Sequence, residues 1–270
     1  MSSAKSSRRR SRPPLVATSF ALVALTFFTL PLVGLLQRAD WGHLVRDLTS
    51  PEARQAIRLS LTSSLWATAL VVVFGMPLAW VLARTTFPGR SIARGLVLLP
   101  MVLPPVVGGV ALLSAFSLAS PLGGWLNRNL GIQFTFSPAG VVLAEVFVAM
   151  PFFVITVEAA LRNLDHRFEE VAASLGASPL TTFRRVTLPL VGPSILAGAV
   201  LAWARALGEF GATITFAGNI AGRTRTIPLE VYLQLESNRS VAIALSLALL
   251  AVSFTVLVLL RDRWLGGLRE

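Results

Sequence analysis

Cysteine is absent from the 270 residues, and histidine occurs only at His43 and His166. Without thiols the chain holds no disulfide scaffold, no thiolate metal ligand and no cysteine nucleophile. Two isolated imidazoles cannot build a histidine-rich metal centre. Acidic residues are scarce too, 13 against 24 lysines and arginines, and charged residues together make up only 14%. No glycine-rich loop ending in Lys-Ser/Thr occurs, so the chain lacks the backbone cradle that holds nucleotide phosphates. What is plentiful is apolar surface. Hydrophobic residues make up 54% of the chain and the mean hydropathy is +0.71, well outside the range of an ordinary soluble domain.

Apolar runs, measured against the roughly 20 residues needed to cross a bilayer, predict six spans at about 15–36, 59–83, 95–119, 139–160, 190–217 and 240–260. The expected fold is therefore an all-α polytopic membrane protein, with a basic tail at 1–14, a membrane body at 15–260 and a second short tail at 261–270. Basic residues choose its orientation. Lys5, Arg8, Arg9, Arg10 and Arg12 precede the first span without an acid, and Arg84, Arg90 and Arg94 follow the second. With Arg162, Arg167, Arg184, Arg185 and the C-terminal arginines, one side collects 15 basic residues and the other eight. Both termini and the segment near 165–185 are thus expected in the cytoplasm. The first span is expected to be retained, because no small-residue cleavage site follows it. The net charge of +11 is explained by arginines flanking hydrophobic segments, which points to a lipid bilayer and not to nucleic acid as the partner. Arg8, Arg9 and Arg10 read as topological charges that can also meet anionic headgroups.

Three spans carry unusual residues. The third contains Pro100, Pro104, Pro105, Gly108 and Gly109, and missing amide donors there should kink the helix where protein or a water-filled path satisfies the freed carbonyls. A gate or pathway wall and a static packing kink both fit. In the fifth, Arg205 and Glu209 share a face if the helix is continuous, beside Gly208, Gly211, Thr213 and Thr215. A structural or gating pair, oxyanion binding by Arg205 and an interfacial pair are all open readings. Glu145 and Glu158 in the fourth span suggest either proton coupling or satisfied packing near the two interfaces, Glu145 outward and Glu158 cytoplasmic. No ordered series of acids suggests a pump.

Between the fourth and fifth spans lies Glu169-Glu170-Val171-Ala172-Ala173-Ser174-Leu175-Gly176, closed by Val186-Thr187-Leu188-Pro189. Asp165 is placed to cap a short helix whose N-terminal amides favour Glu169 and Glu170, and Gly176 and Pro179 should end it. A docking surface for a soluble partner and a solvated turn both fit that chemistry. The stretch resembles the signature of the membrane permease subunits of binding-protein-dependent ATP-binding-cassette importers: Glu-Ala-Ala, three variable residues, Gly, nine variable residues, Ile, one variable residue, Leu-Pro. Glu170, Ala172, Gly176, Leu188 and Pro189 match at that spacing, while Val171 and Val186 replace the first alanine and the isoleucine. The resemblance extends over about 55–260 and is closest to molybdate permeases within the molybdate, tungstate and sulfate group. It is carried also by the stretches Leu99–Val107, Ala204–Ile214 and Arg223–Leu229.

That resemblance implies a six-span type I importer permease with a cytoplasmic coupling helix. Glu169, Glu170, Ala172, Ala173, Gly176, Leu188 and Pro189 would form the ATPase-coupling element. Pro104, Pro105, Gly108, Arg205, Gly208, Glu209, Gly211 and Thr213 would be candidates for the translocation path or gate. The implied partners are a second permease copy, two cytoplasmic ATP-binding subunits and an extracytoplasmic oxyanion-binding protein. No cofactor is expected in this chain; ATP and Mg2+ belong to the partner ATPase, so the chain is a transport subunit and not an enzyme. Arg223 and Arg225, in an outside loop, could contact the anion, a binding protein or a neighbouring loop. The expected substrate is molybdate, with sulfate or tungstate as alternatives. The contrasting reading is a noncatalytic membrane scaffold or receptor.

Overall fold

The computed structural model describes residues 15–266, so the tail expected at 1–14 and residues 267–270 lie outside the described residues. No strand occurs among them. The chain runs through α1 (Leu15–Gln37), α2 (Leu44–Leu48), α3 (Pro51–Arg84), α4 (Arg90–Val102), α5 (Pro105–Phe116), α6 (Pro121–Leu130) and α7 (Pro138–Asn163). It continues through α8 (Arg167–Ser174), α9 (Pro179–Thr182), a five-residue π-helical turn (Phe183–Thr187), α10 (Leu188–Leu207), α11 (Gly211–Phe216), α12 (Ile227–Ser237) and α13 (Arg239–Gly266).

Local sequence sets the helix starts. Each of the four Ser-Pro dipeptides opens a helix, with the serine hydroxyl accepting a free amide and the proline standing where an N–H would have no partner. Ser50 accepts from Ala53, Ser120 from Gly123, Ser137 from Gly140 and Ser178 from Thr181, at 3.0–3.3 Å.

Five stretches, α1, α3, α7, the continuous run Pro179–Leu207 and α13, are long and apolar enough to cross a membrane. α5 and α6, bent by 56°, make a sixth when counted as one. Two expected spans are not continuous helices. The third breaks at Leu103 and Pro104, whose ψ angles of 137° and 131° are extended, because Pro104 and Pro105 offer no amide to continue α4. The fifth stops at Leu207, with Gly208 as its cap, and restarts at Gly211. There the Glu209 carboxylate accepts the amide of Ala212 at 2.7 Å and caps the new helix instead of extending the old one.

The bundle centre is α3, α7 and α10, packed through Val71, Leu82, Phe153, Val157, Leu161, Val191 and Ala202. Lipid is as apolar as these side chains, so association here depends on close shape rather than on escape from water. Phe153 on α7, fully buried, lies between two glycines. A Cβ on Gly75 of α3 would come within 2.7 Å of the ring, and one on Gly198 of α10 within 3.2 Å. A second seam joins α5, α7 and α11 through Leu112, Ala144, Val148, Ala212 and Phe216. Gly109 there brings the backbones of α5 and α11 together, since its Cβ would lie 2.9 Å from the Ala212 carbonyl.

Candidate coupling surface and pathway

α8 is built as its sequence suggests. Asp165 Oδ1 accepts the Arg167 amide at 3.0 Å at its start. At its end Gly176 adopts φ +84°, the Gly176 amide donates to Ala173 O at 2.9 Å and the Ala177 amide to Ala172 O at 3.0 Å. These paired bonds close the helix as a Schellman motif, which a residue with a Cβ adopts only under strain. No residue of α8 is buried. Phe168, Val171 and Leu175, spaced to share one side, are 54%, 58% and 83% exposed. Glu170 and Ala173 are exposed and Ala172 is half-buried, while Leu188 and Pro189 are exposed at the start of α10.

Glu169 differs from its neighbour, for it turns inward. Its Oε1 lies 3.2 Å from Arg84 Nη2 at the end of α3 and accepts the Thr187 hydroxyl at 2.7 Å at the start of α10. Arg84 Nη1 also lies 2.7–2.8 Å from the His166 ring nitrogens. These groups, with Trp80, Thr182 and Phe183, border a cavity of about 340 Å³ between α8 and the bundle. Nearby, Glu158 of α7 is buried and paired with both Arg94 of α4 and Arg162, the latter at 3.2 Å, while Arg90 donates to the Leu82 carbonyl. Arg84, His166 and Thr187 did not stand out in the sequence; an arginine before a loop reads only as a topological charge.

The pathway candidates divide into two groups. Pro104, Pro105 and Gly208 are exposed on the single chain, whereas Gly108, Gly211 and Thr213 are buried in contacts between helices. Pro105 and Gly211 touch, a Cβ on the glycine standing 2.6 Å from the proline Cβ, and Gly108 packs on Phe147 of α7. Thr213 is fully buried with its hydroxyl unpartnered. Arg205 Nη2 and Glu209 Oε2 pair at 2.7 Å although the helix is broken between them, because Glu209 reaches back while its other oxygen caps α11.

Glu145 is packed between helices. It is 1% exposed and deep against α3, where Ser63 donates to Oε1 at 2.8 Å and Oε2 has no partner. The neighbouring Ser64 accepts the Trp203 indole N–H at 3.0 Å. Arg225 is turned into its own loop, 3.4 Å from the buried Glu230 and donating to Asn219 Oδ1 at 2.9 Å, while Arg223 is exposed. No cluster of three or more histidines and acids able to hold a metal occurs among the described residues.

A multi-helix membrane bundle with an exposed, capped cross-helix between its fourth and fifth expected spans defines a transport permease. Residues 72–266 match the family of binding-protein-dependent transport system inner membrane components, to which the chain belongs. Over 240 residues, 88% of this chain and 90% of the relative, it is 47% identical to the molybdenum transport system permease protein ModB of Mycobacterium tuberculosis. It is 37% identical to the sulfate transport system permease protein CysT of Escherichia coli over 246 residues, covering 90% of this chain and 88% of that one. Among solved structures, the bacterial alginate ABC transporter in complex with its alginate-bound periplasmic protein aligns with a TM-score of 0.72 at 20% identity, over 91% of each chain, which establishes the shared fold.

Proposed function

We propose that the chain is the permease subunit of an ATP-driven importer of a tetrahedral oxyanion, with molybdate as the preferred substrate. Two copies would form the path, two ATP-binding subunits would dock on the α8 side, and an oxyanion-binding protein would deliver substrate on the other. ATP and Mg2+ would be used in the ATPase partner, and both termini would face the cytoplasm. The observation that carries this reading is α8 itself, a rigidly capped helix with no buried residue that presents Phe168, Val171 and Leu175 beside Glu170. An exposed apolar stripe next to an acid suits a groove on a soluble protein. The similarity to a molybdenum permease supports the substrate, and that to a sulfate permease keeps a second dianion in contention.

The geometry also suits transport of a dianion without trapping it. Arg205 is neutralised by Glu209, Arg225 by Glu230 and Arg84 by Glu169. No unopposed cation therefore stands among the buried candidates to hold the anion, and a path must bind weakly enough to release. Closure of the ATP-binding subunits would displace α8, and with it α3 and α10, exchanging inward-facing and outward-facing arrangements across the exposed Pro104, Pro105 and Gly208.

The test is ATP-driven molybdate uptake by the permease reconstituted with its ATPase and binding protein, in competition with tungstate and sulfate. Inhibition by tungstate much stronger than by sulfate is the expected result. Preferential sulfate uptake would overturn the substrate, and ATPase binding without any uptake would favour the scaffold reading.

A further inference from the structure

α8 must be attached to the bundle by something other than apolar burial, since none of its residues is buried and its large side chains face out. The charged contact that reaches from within it into the bundle is one carboxylate. Glu169 meets Arg84, on the last residue of α3, and Thr187, on the last residue of the turn leading into α10. Both partners are set into the bundle: the Arg84 side chain is 6% exposed and Thr187 1%. Arg84 Nε has no hydrogen-bond partner and Nη1 meets the His166 ring, so Glu169 is the carboxylate that balances this guanidinium. His166 adds a contact from the preceding turn, its Nδ1 standing 3.6 Å from Glu169 Oε2.

We propose that Glu169 is a positioning residue that locks α8 to α3 and α10 through Arg84 and Thr187, so that it transmits the ATPase's movement into the bundle instead of contacting the ATPase. The inference rests on α8 being the ATPase contact. A charged pair carrying an additional hydroxyl bond has one favoured geometry and resists shear, whereas an apolar contact at the same place would allow α8 to slide. Because one oxygen serves both partners, α8, α3 and α10 move as one body. The adjacent Glu170, free of such bonds and exposed, keeps the outward role.

The experiment uses the complete reconstituted complex and reads three quantities: ATPase captured per permease, ATP hydrolysed, and molybdate accumulated per ATP. In Glu169→Gln, which keeps shape and an acceptor for Thr187, capture stays within about twofold while molybdate per ATP falls by roughly tenfold. Thr187→Val lowers the same ratio by a smaller factor, about threefold. The double variant Arg84→Gln/Glu169→Gln leaves no buried charge unpaired, so its thermal midpoint returns toward the parent value while the transport ratio stays low. If the ratio recovers with stability in the double variant, or is unchanged in Glu169→Gln, the pair serves folding alone and the proposal is overturned. Glu170→Ala and Leu175→Asp separate the underlying reading: both should lose capture, and if they retain it α8 is not the ATPase contact, whatever Glu169 does.

Discussion

The two glutamates of α7 occupy contrasting surroundings. Glu158, toward the α8 end, is closed in by two arginines from different positions, Arg94 and Arg162, and with Arg84–Glu169 it makes that end a lattice of charge. Glu145, in the bundle, has only Ser63 on one oxygen and nothing on the other. Between the two, in the middle of α7, the helices are held by fit, with Phe153 between Gly75 and Gly198. The difference follows from the solvent: where water and headgroups reach, charges can be carried in and paired, whereas in the hydrocarbon layer small residues and close backbones do the joining.

That contrast is open to test by thermal unfolding in nanodiscs at low and high salt. The largest effect should come from Phe153→Ala, which empties the space between two glycines that cannot fill it; a loss of about 3–5 kcal/mol is expected, equal at both salt concentrations. A loss that varied with salt would mean the centre is held by charge after all. Glu158→Gln should cost about 1–2 kcal/mol, because its arginines are partly exposed and can turn to water, and the cost should shrink at high salt. Glu145→Gln should change stability by less than about 1 kcal/mol, since the amide keeps an acceptor for Ser63 and removes a group with no cationic partner. A drop as large as that of Phe153→Ala would show that the carboxyl meets a partner in the assembled transporter. The smallest effect belongs to Arg223→Ala, under about 0.5 kcal/mol for an exposed side chain, and Arg225→Ala in the same loop should exceed it by leaving Glu230 buried without its cation.

Much of this architecture could be read from residue order. The apolar runs located the membrane helices, the prolines at 104 and 105 announced a break, and Asp165 and Gly176 marked the two ends of α8. The break at Gly208 was harder, because the same four-residue spacing that pairs Arg205 with Glu209 in a continuous helix also lets Glu209 cap a new one. The burial of Glu145 against α3 was not legible, because its serine partner lies 82 positions earlier. For the same reason Glu169 and Glu170, adjacent in the chain, read alike as docking residues; only the fold brings residue 84 to one of them. The four Ser-Pro dipeptides are a signal of helix starts that the residue order alone carries.

The π-helical turn at Phe183–Thr187 has a geometric corollary. Such a turn carries one residue more than an α-helical turn, and each residue of an α-helix advances the azimuth by about 100°. With α10 pinned by Gly198 against Phe153, the accumulated rotation falls on the other side of the turn, on α9 and on the chain arriving from α8. Removing a single residue among Phe183, Arg184 and Arg185 would therefore alter no side chain of α8 and still turn α9 by more than a quarter of a circle against α10, pulling on the Glu169 tie to Arg84 and Thr187. The compass bearing of the α8 stripe is thus tied to the length of the turn whose last residue, Thr187, bonds to Glu169.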